Sequence, residues 1–456
     1  MLKRNDFKIR DEVVIEKKRA RIKRTLDLVN SGLLQCLIAV IVLVVFFVIA
    51  NRYIDNLFGV FNVSIFFTIV FVYFLNSAVK VYIKWYNKRH EDTLKLDDNY
   101  SKITRRYHDE LIVYGNSFAS EENIKKLRES ESYGHIKVID SVEGSVYKFP
   151  VKKDFNVSGK NIIIEDCLAE YNLPREVYSN FGHLMSAHTS SNVYNRTNVR
   201  VDSWSLNDDT FRICTSRTMY FYSLVTNRSM DYLWPCGVTN RDMYCCGPFI
   251  PTLQESKLSN HLGFNGFIIS SDGYLPFVKR NDYVSIGKNT YGNSIGASLK
   301  TKYALLNGQD FTVEGLENAI VREIYDELRI DKEELFDFQL KTGLVAAYRD
   351  LIEGGKPQLL FMAKSILNRD TIDKRFSDYS DKKRNEEKIG FMDKERKAET
   401  DGSTILWIHE SELHDLGITP HCIVHNGIIY ETVPSASAAL VMLLESLSTG
   451  DFRNNS

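Results

Sequence analysis

Two long apolar segments near the N-terminus constrain this chain more than any other feature. One covers residues 33–50 and is interrupted only by Gln35, and the other covers residues 57–79. A helix of about 20 apolar residues is long enough to cross a bilayer. A cleaved signal peptide would begin closer to the N-terminus, and a buried soluble hairpin would show a polar face, which the first segment lacks. The sequence therefore predicts a transmembrane helical hairpin within residues 31–84.

The charges around these segments predict their orientation. Residues 1–30 form a basic tail with ten Lys or Arg against five acidic residues. Basic residues also follow the second segment, at Lys80, Lys84, Lys88 and Arg89. Because basic flanks stay on the cytoplasmic side of a membrane, we expect both termini in the cytoplasm and a multi-pass membrane protein with two spans. The lipid bilayer is then one partner of the chain.

The overall charge bears on other partners. The formal net charge is −1 at pH 7. The surface as a whole is therefore not built for nucleic acid, and we expect neither DNA nor RNA as a partner. Residues 85–132 are polar and carry a loose apolar stripe at helical spacing. This pattern predicts a helical linker that either packs on the following domain or pairs with a second copy in a homo-oligomer.

Residues 133–257 consist of short β-favouring runs separated by polar turns. They predict an α+β region, in which the run Met219–Val225 is expected to form a strand. The region is rich in aromatic residues, such as Tyr222, Trp234 and Tyr244. These side chains can build a pocket for a nucleotide base, although packing in a core or an interface is the commoner use. The sequence predicts no role for this region.

An acidic cluster follows in the C-terminal half of the chain. Glu323, Asp326 and Glu327 stand at positions i, i+3 and i+4, so in a helix their carboxylates project from one side of about one turn. Carboxylates this close repel each other, and solvent, basic partners or a divalent cation relieve the repulsion. The alternative is a solvated amphipathic helix, in which the acidic residues merely flank an apolar stripe.

The spacing around this cluster resembles the Nudix box. The matching residues are Gly308, Glu314, Arg322, Glu323, Ile324, Glu327 and Ile330. Two positions depart from the pattern. Asp326 replaces a glutamate and has a shorter reach, and Arg329 replaces a glycine that lets the chain turn after the helix. Because arginine tolerates positive φ poorly, the second departure puts the conformation of that loop in question.

The segment before the box also resembles a Nudix domain. Residues 264–270 and 274–280 flank an Asp-Gly turn and predict a β-hairpin. The resemblance implies that Lys279 and Arg280, at the end of the second strand, contact substrate phosphates; the alternative is an exposed strand end. The resemblance covers residues 258–447, with a charged insertion at about residues 368–403.

The expected fold class is therefore α+β. It comprises a Nudix-type α/β/α sandwich with a mixed sheet, preceded by the α+β region and the two-helix transmembrane hairpin.

The resemblance implies a metal-dependent hydrolase. Glu323, Asp326 and Glu327 would hold Mg²⁺ or Mn²⁺, and Glu323 or Glu327 would act as the catalytic base. Gly308, Glu314 and Arg322 would support the box, with Glu314 and Arg322 paired to each other. The substrate would be a nucleoside-diphosphate-linked small molecule, cleaved at its P–O–P bond at the cytosolic face of the membrane.

Two alternatives remain open. The Nudix-like domain can instead bind a signalling nucleotide and control the transmembrane hairpin, as an effector in signalling or antiviral defence. It can also be a scaffold that has lost catalysis and serves only a membrane anchor.

Overall fold

The computed structural model describes residues 100–132, 146–188, 195–280, 287, 289–308, 310–389 and 402–449. The predicted basic tail, the transmembrane hairpin, and parts of the linker, the α+β region and the charged insertion lie outside the described residues. Within the described part, no helix combines the length and the apolarity needed to cross a membrane. Within the described part of the chain, residues 100–184 and 195–449 belong to one compact unit.

Helices and strands alternate irregularly along the described chain. The helices are α1 (Tyr100–Arg106), α2 (Glu121–Ser132), α3 (Arg175–Ser179), α4 (Phe181–Ser186), α5 (Tyr220–Val225), α6 (Asn240–Tyr244), α7 (Thr301–Ala304), α8 (Val313–Leu328), α9 (Leu340–Gly343), α10 (Arg369–Ile389) and α11 (Pro434–Thr449). The strands are β1 (Val113–Gly115), β2 (Val146–Lys148), β3 (Val151–Asn156), β4 (Asn161–Glu170), β5 (Thr197–Asn207), β6 (Thr210–Met219), β7 (Gly263–Ile269), β8 (Tyr274–Arg280), β9 (Ile295–Ser298), β10 (Leu344–Asp350), β11 (Lys356–Lys364), β12 (Gly402–His409), β13 (Gly417–Ile418), β14 (Cys422–His425) and β15 (Ile428–Glu431). This is a mixed α+β architecture.

A five-stranded sheet in the order β3-β10-β11-β7-β9 forms the centre. β11 and β7 run parallel, and the other neighbours are antiparallel. Successive side chains of β11 point to opposite faces: Leu359 and Phe361 pack in the core that contains α8, whereas Leu360 and Met362 pack in the core that contains α11. Both faces are therefore covered, which explains why β11 is an almost uninterrupted apolar run.

The α+β region is not separate from the rest of the compact unit. Its strand β3 pairs with β10 at the edge of the central sheet. Its three-stranded sheet, in the order β4-β6-β5, contributes Val199, Phe211 and Ile213 to the core that contains α8. A domain boundary at residue 258 would therefore separate β3 from the rest of the central sheet and divide one continuous core.

The expected hairpin is present only at its turn. Ser270 N donates to Tyr274 O at 2.9 Å and closes the Asp-Gly turn. Beyond the turn, β7 pairs with β11 and β9, whereas β8 pairs with β12, so the expected strand pairing is wrong. Ser294 lies between the two strands, where its hydroxyl accepts from Ile268 N at 3.0 Å and donates to Pro276 O at 2.8 Å. Pro276 has no N–H to offer a neighbouring strand, which favours this separation.

Two other expectations differ from the structure, and the charged insertion is helical where it begins. The run expected as a strand leaves β6 at Met219 and continues as α5, and Phe221 N donates to Asn195 Oδ1 at 3.0 Å. Periodicity cannot identify a short apolar run that is buried all round.

Residues 100–132 contain α1, β1 and α2 instead of one helix, and Leu127 packs in the core with α11. Where the charged insertion is described, it begins as α10, which buries Phe376 in the core with α8.

Candidate functional site

The acidic cluster lies on α8, whose start is fixed by local contacts. The Thr312 hydroxyl accepts from Gly315 N at 3.1 Å and caps the helix. Phe311 N donates to Asp166 Oδ2 at 2.8 Å, so β4 holds the loop that leads into α8. Burial opposes the charge of Asp166, but hydrogen bonds from Arg217, Thr215 and Phe311 N outweigh it and lower the pKa of this carboxyl.

The loop before α8 turns at a glycine, and one side of α8 is buried. Gly308 has φ of 75°, a left-handed conformation that glycine adopts without strain. Leu316, Ile320, Ile324 and Leu328 are all buried in the core. The apolar stripe thus fixes which side of α8 faces the sheet.

The three acidic residues are buried. Glu323, Asp326 and Glu327 are 1%, 3% and 7% exposed. A solvated helix face would leave them in water, so that alternative does not hold for this cluster. Since buried carboxylates require partners, the groups around them define the chemistry of the site.

Groups from α7 and from α8 itself engage two of these carboxylates. The Lys300 Nζ lies 2.7 Å from Glu323 Oε1 and 2.8 Å from Glu323 Oε2. The Tyr303 hydroxyl donates to Asp326 Oδ2 at 2.7 Å, and Arg322 Nε lies 3.6 Å from Asp326 Oδ1. Burial alone would lower the pKa of Lys300, but the charge and hydrogen bond of Glu323 raise it above its ordinary value, so Lys300 is cationic.

The backbone around Lys300 is tied to β5. Lys300 forms a β-bridge with Asn198, and the Thr301 hydroxyl donates to Thr197 O at 2.7 Å. A strand of the α+β region therefore sets the position of the lysine over the acidic cluster.

The short helix α7 is also pressed against α8. A Cβ at Gly315 would lie 2.0 Å from Ala304 O, so only glycine permits this approach. The Asn318 side-chain amide donates to Tyr303 O at 2.7 Å across the same contact. This contact places Lys300 and Tyr303 beside the acidic residues.

The three carboxylates are of the right chemical type to bind a divalent cation, because Mg²⁺ prefers carboxylate oxygens. The ammonium of Lys300 shows that the cluster accommodates a positive charge. Within the described residues, however, no three His, Cys, Asp or Glu side chains are arranged so that they could hold a metal ion. In this conformation both oxygens of Glu323 face Lys300, and the metal-ligand role of the three acidic residues stays a prediction.

The residue after α8 adopts the conformation expected of the missing glycine. Arg329 has φ of 61° and ψ of 35°, and its N–H donates to Tyr325 O at 3.0 Å. Its guanidinium lies 3.2 Å from the centroid of the Tyr379 ring of α10. The chain therefore makes the sharp turn with an arginine, and stacking on an aromatic ring offsets the strain.

Glu314 and Arg322 do not pair with each other, contrary to expectation. Both lie on α8, eight residues apart, which places them about 12 Å apart along the helix axis. Glu314 is exposed in the first turn, and Arg322 is paired with Asp326.

The two predicted phosphate-binding residues lie at the end of β8. Both are half-buried, and Lys279 Nζ lies 5.7 Å from the centroid of the Tyr291 ring. β8 belongs to the two-stranded sheet with β12, not to the central sheet. The role of Lys279 and Arg280 in phosphate contact stays a prediction.

A cavity of about 650 Å³ lies away from α8. Its lining includes Tyr171, Arg200, Asp202, Tyr244 and Lys257. Arg200 hydrogen-bonds Asp202 and stacks 5.0 Å from the Tyr171 ring centroid. Two aromatic residues of the α+β region, Tyr171 and Tyr244, line this cavity, and the charged side chains around them are of both signs.

Sequence reasoning missed Lys300 and Tyr303. They precede Glu323 by 23 and 20 residues and belong to no part of the box. Their approach depends on the contact between α7 and α8, and the pattern of the chain carries no signal for it.

Comparisons with known proteins add little. No family model matches the chain, and no curated protein matches it. Among solved structures, the chain is similar to the protein DR0079 from Deinococcus radiodurans, with 16% sequence identity and a TM-score of 0.20 over 34% of this chain and 69% of that chain. At that TM-score the likeness carries no argument about fold or function.

Proposed function

We propose that residues 258–447 form most of a Nudix-type α/β/α sandwich that acts as a metal-dependent hydrolase. It cleaves the P–O–P bond of a nucleoside-diphosphate-linked compound at the cytosolic face of a membrane. The observation that supports this proposal is the burial of Glu323, Asp326 and Glu327 on one turn of α8, with a cation at Glu323. Buried acidic clusters of this kind are costly and occur mainly where they serve a site.

Different residues of the chain would bind the metal, accept the proton and orient the ligands. Glu323, Asp326 and Glu327 would hold Mg²⁺ or Mn²⁺, which when bound neutralises phosphate charge and acidifies a water molecule. Glu323 or Glu327 would accept the proton of the attacking water. Tyr303 would orient Asp326 through its hydroxyl, which lies 2.7 Å from the carboxylate.

The test is a turnover assay on the full-length protein in detergent. A panel of nucleoside-diphosphate-linked compounds is incubated with Mg²⁺, and the products are identified by mass spectrometry. Glu323→Gln should lower turnover by about 100-fold or more. The matched control is Glu317→Gln on the same helix, which alters only the pair with Lys332 at 3.7 Å. Turnover that survives Glu323→Gln contradicts the proposed role of the cluster.

Lys300 favours a second candidate function. Because its ammonium faces both oxygens of Glu323, the domain can also bind a nucleotide signal without cleaving it. In that case binding would control the predicted transmembrane hairpin, in a homo-oligomer or alone. Tight nucleotide binding without turnover across the panel would favour this function. Loss of the cellular phenotype on Val42→Arg, but not on Glu323→Gln, would assign the activity to the hairpin.

A further inference from the structure

The cavity beside β5, of about 650 Å³, has the size of a small-molecule site. Such sites in proteins usually measure about 300–1,000 Å³. The described residues that line the cavity belong to elements other than α7 and α8, so it is separate from the acidic cluster. Its walls therefore define a second place on the chain where a ligand can bind.

A buried arginine on the wall of this cavity lacks one partner. Arg200 is 8% exposed. Its Nη1 pairs with Asp202, and its Nη2 donates to Ser256 O at 3.2 Å and to Leu258 O at 3.4 Å. Its Nε is buried and has no hydrogen-bond partner among the described residues. Because a buried donor without an acceptor is costly, the missing partner of Arg200 points to an acceptor on a ligand.

The loop that holds Arg200 also brings a lysine to the cavity. The Tyr171 hydroxyl donates to Lys257 O at 2.6 Å, and the Arg200 guanidinium lies 5.0 Å from the centroid of the Tyr171 ring. The Lys257 side chain is exposed, and its ammonium forms no ion pair within the described part of the chain. Arg200 and Lys257 thus offer donors and positive charge to an anionic group.

Carboxylates line the same cavity. Asp202 accepts from Arg200 and from Ser216 Oγ, the latter at 2.9 Å, and both bonds use Oδ1. Its Oδ2 has no partner among the described residues, and its side chain is 34% exposed. Glu176 lies beside Tyr244, where burial and the charge of Glu176 raise the pKa of the Tyr244 hydroxyl to about 12. Asp202 and Glu176 thus offer acceptors and negative charge to a cationic group.

We propose that this cavity binds a free α-amino acid. The carboxylate of the ligand accepts from Arg200 Nε and Lys257, and its ammonium donates to Asp202 and Glu176. A simple anion would meet the carboxylates, and a simple cation would meet Lys257, whereas a zwitterion matches both signs of the lining. The tyrosine rings of the lining pack against the side chain of the amino acid.

The experiment is isothermal titration calorimetry on the full-length protein in detergent. The protein is titrated with each proteinogenic L-amino acid, and then with two analogues of the tightest binder: the amine that lacks its carboxylate and the acid that lacks its ammonium. At least one amino acid should bind. Each analogue should bind about tenfold more weakly or worse, because it leaves one set of charged groups without a partner.

Two variants connect each charge of the ligand to its side of the cavity. Lys257→Met should raise the Kd of the amino acid by about tenfold and leave the Kd of the amine unchanged. Glu176→Gln should raise the Kd of the amino acid and leave that of the acid unchanged. Both side chains are exposed, so these variants should fold. The matched control is Lys364→Met, which removes an exposed lysine at the end of β11 and should leave every Kd unchanged.

Several results would overturn the inference. They are no binding of any amino acid, an amine or acid analogue that binds as tightly as the amino acid, and an equal effect of Lys257→Met on the amino acid and on the amine. A loss of affinity in Lys364→Met that equals the loss in Lys257→Met would also overturn it. Turnover of nucleoside-diphosphate-linked compounds is a separate measurement, and none of these results depends on it.

Discussion

At the scale of single residues, the chain buries three negative charges within about one helical turn. Glu323 faces Lys300, and Asp326 faces Tyr303 and Arg322. The fixed offsets of the box predicted that the three acidic residues share one side of α8. They could not predict Lys300, because its contact depends on the close approach of α7 to Gly315, which no local pattern encodes.

Arg329 permits a prediction that separates backbone strain from side-chain stacking. Arg329→Ala keeps a Cβ in the left-handed region and loses the stack on Tyr379, whereas Arg329→Gly loses the stack but relieves the strain. We expect Arg329→Ala to be less stable than Arg329→Gly by about 1 kcal/mol, with Arg329→Gly close to the wild type. Urea unfolding followed by circular dichroism measures the difference. Equal stability of the two variants would show that φ at this residue is not strained.

At the scale of elements, the turn between β10 and β11 concentrates charge in the core. Asp350, Glu353 and Lys356 are 5%, 6% and 4% exposed. Lys356 Nζ lies 3.2 Å from Glu353 Oε2, and Arg228 Nε lies 3.9 Å from the same oxygen. No sequence rule predicts that a turn with four charged groups nearby is buried.

This turn predicts a dependence of stability on pH. Burial, and then the charge of Glu353, raise the pKa of Asp350 to about 7. The folded state then binds more protons than the unfolded state between about pH 4 and pH 7, so stability is lost as pH rises through that window. Asp350→Asn removes this term and can still accept from Ile352 N, which donates to Asp350 Oδ1 at 2.9 Å.

The unfolding free energy of Asp350→Asn should therefore exceed that of the wild type, and the difference should grow with pH, from about 1 kcal/mol at pH 5 to about 3 kcal/mol at pH 8. Urea unfolding at a series of pH values measures the gain. A difference between the two proteins that does not vary with pH would contradict the raised pKa.

At the scale of the whole molecule, the α+β region and the described part of residues 258–447 share one sheet and one core. β3 pairs with β10, and Val199 and Phe211 pack in the core with α8. The sequence predicted β7, because its apolar pattern is local. It did not predict that β3 joins the same sheet, because the pairing of distant strands leaves no periodic signal.

A chain that starts at residue 258 should therefore not fold cooperatively. It lacks β3 and the three-stranded sheet, and it would expose the edge of β10 and the apolar face that packs on Val199 and Phe211. A chain of residues 100–456, which keeps these elements, should show a single cooperative urea transition and near-ultraviolet circular dichroism. Cooperative unfolding of the shorter chain, at the same midpoint, would show that residues 258–456 form an independent domain.

The pairing of β3 with β10 also sets an order of events during synthesis. Val151 can pair with Asp350 only after the intervening chain has left the ribosome. Contacts between such distant residues form slowly, because a long loop must close first. The two apolar segments of residues 31–84 emerge much earlier, before the central sheet can be completed. The growing chain thus carries an unpaired β3 throughout that interval, which exposes it to aggregation and makes it a candidate substrate for chaperones.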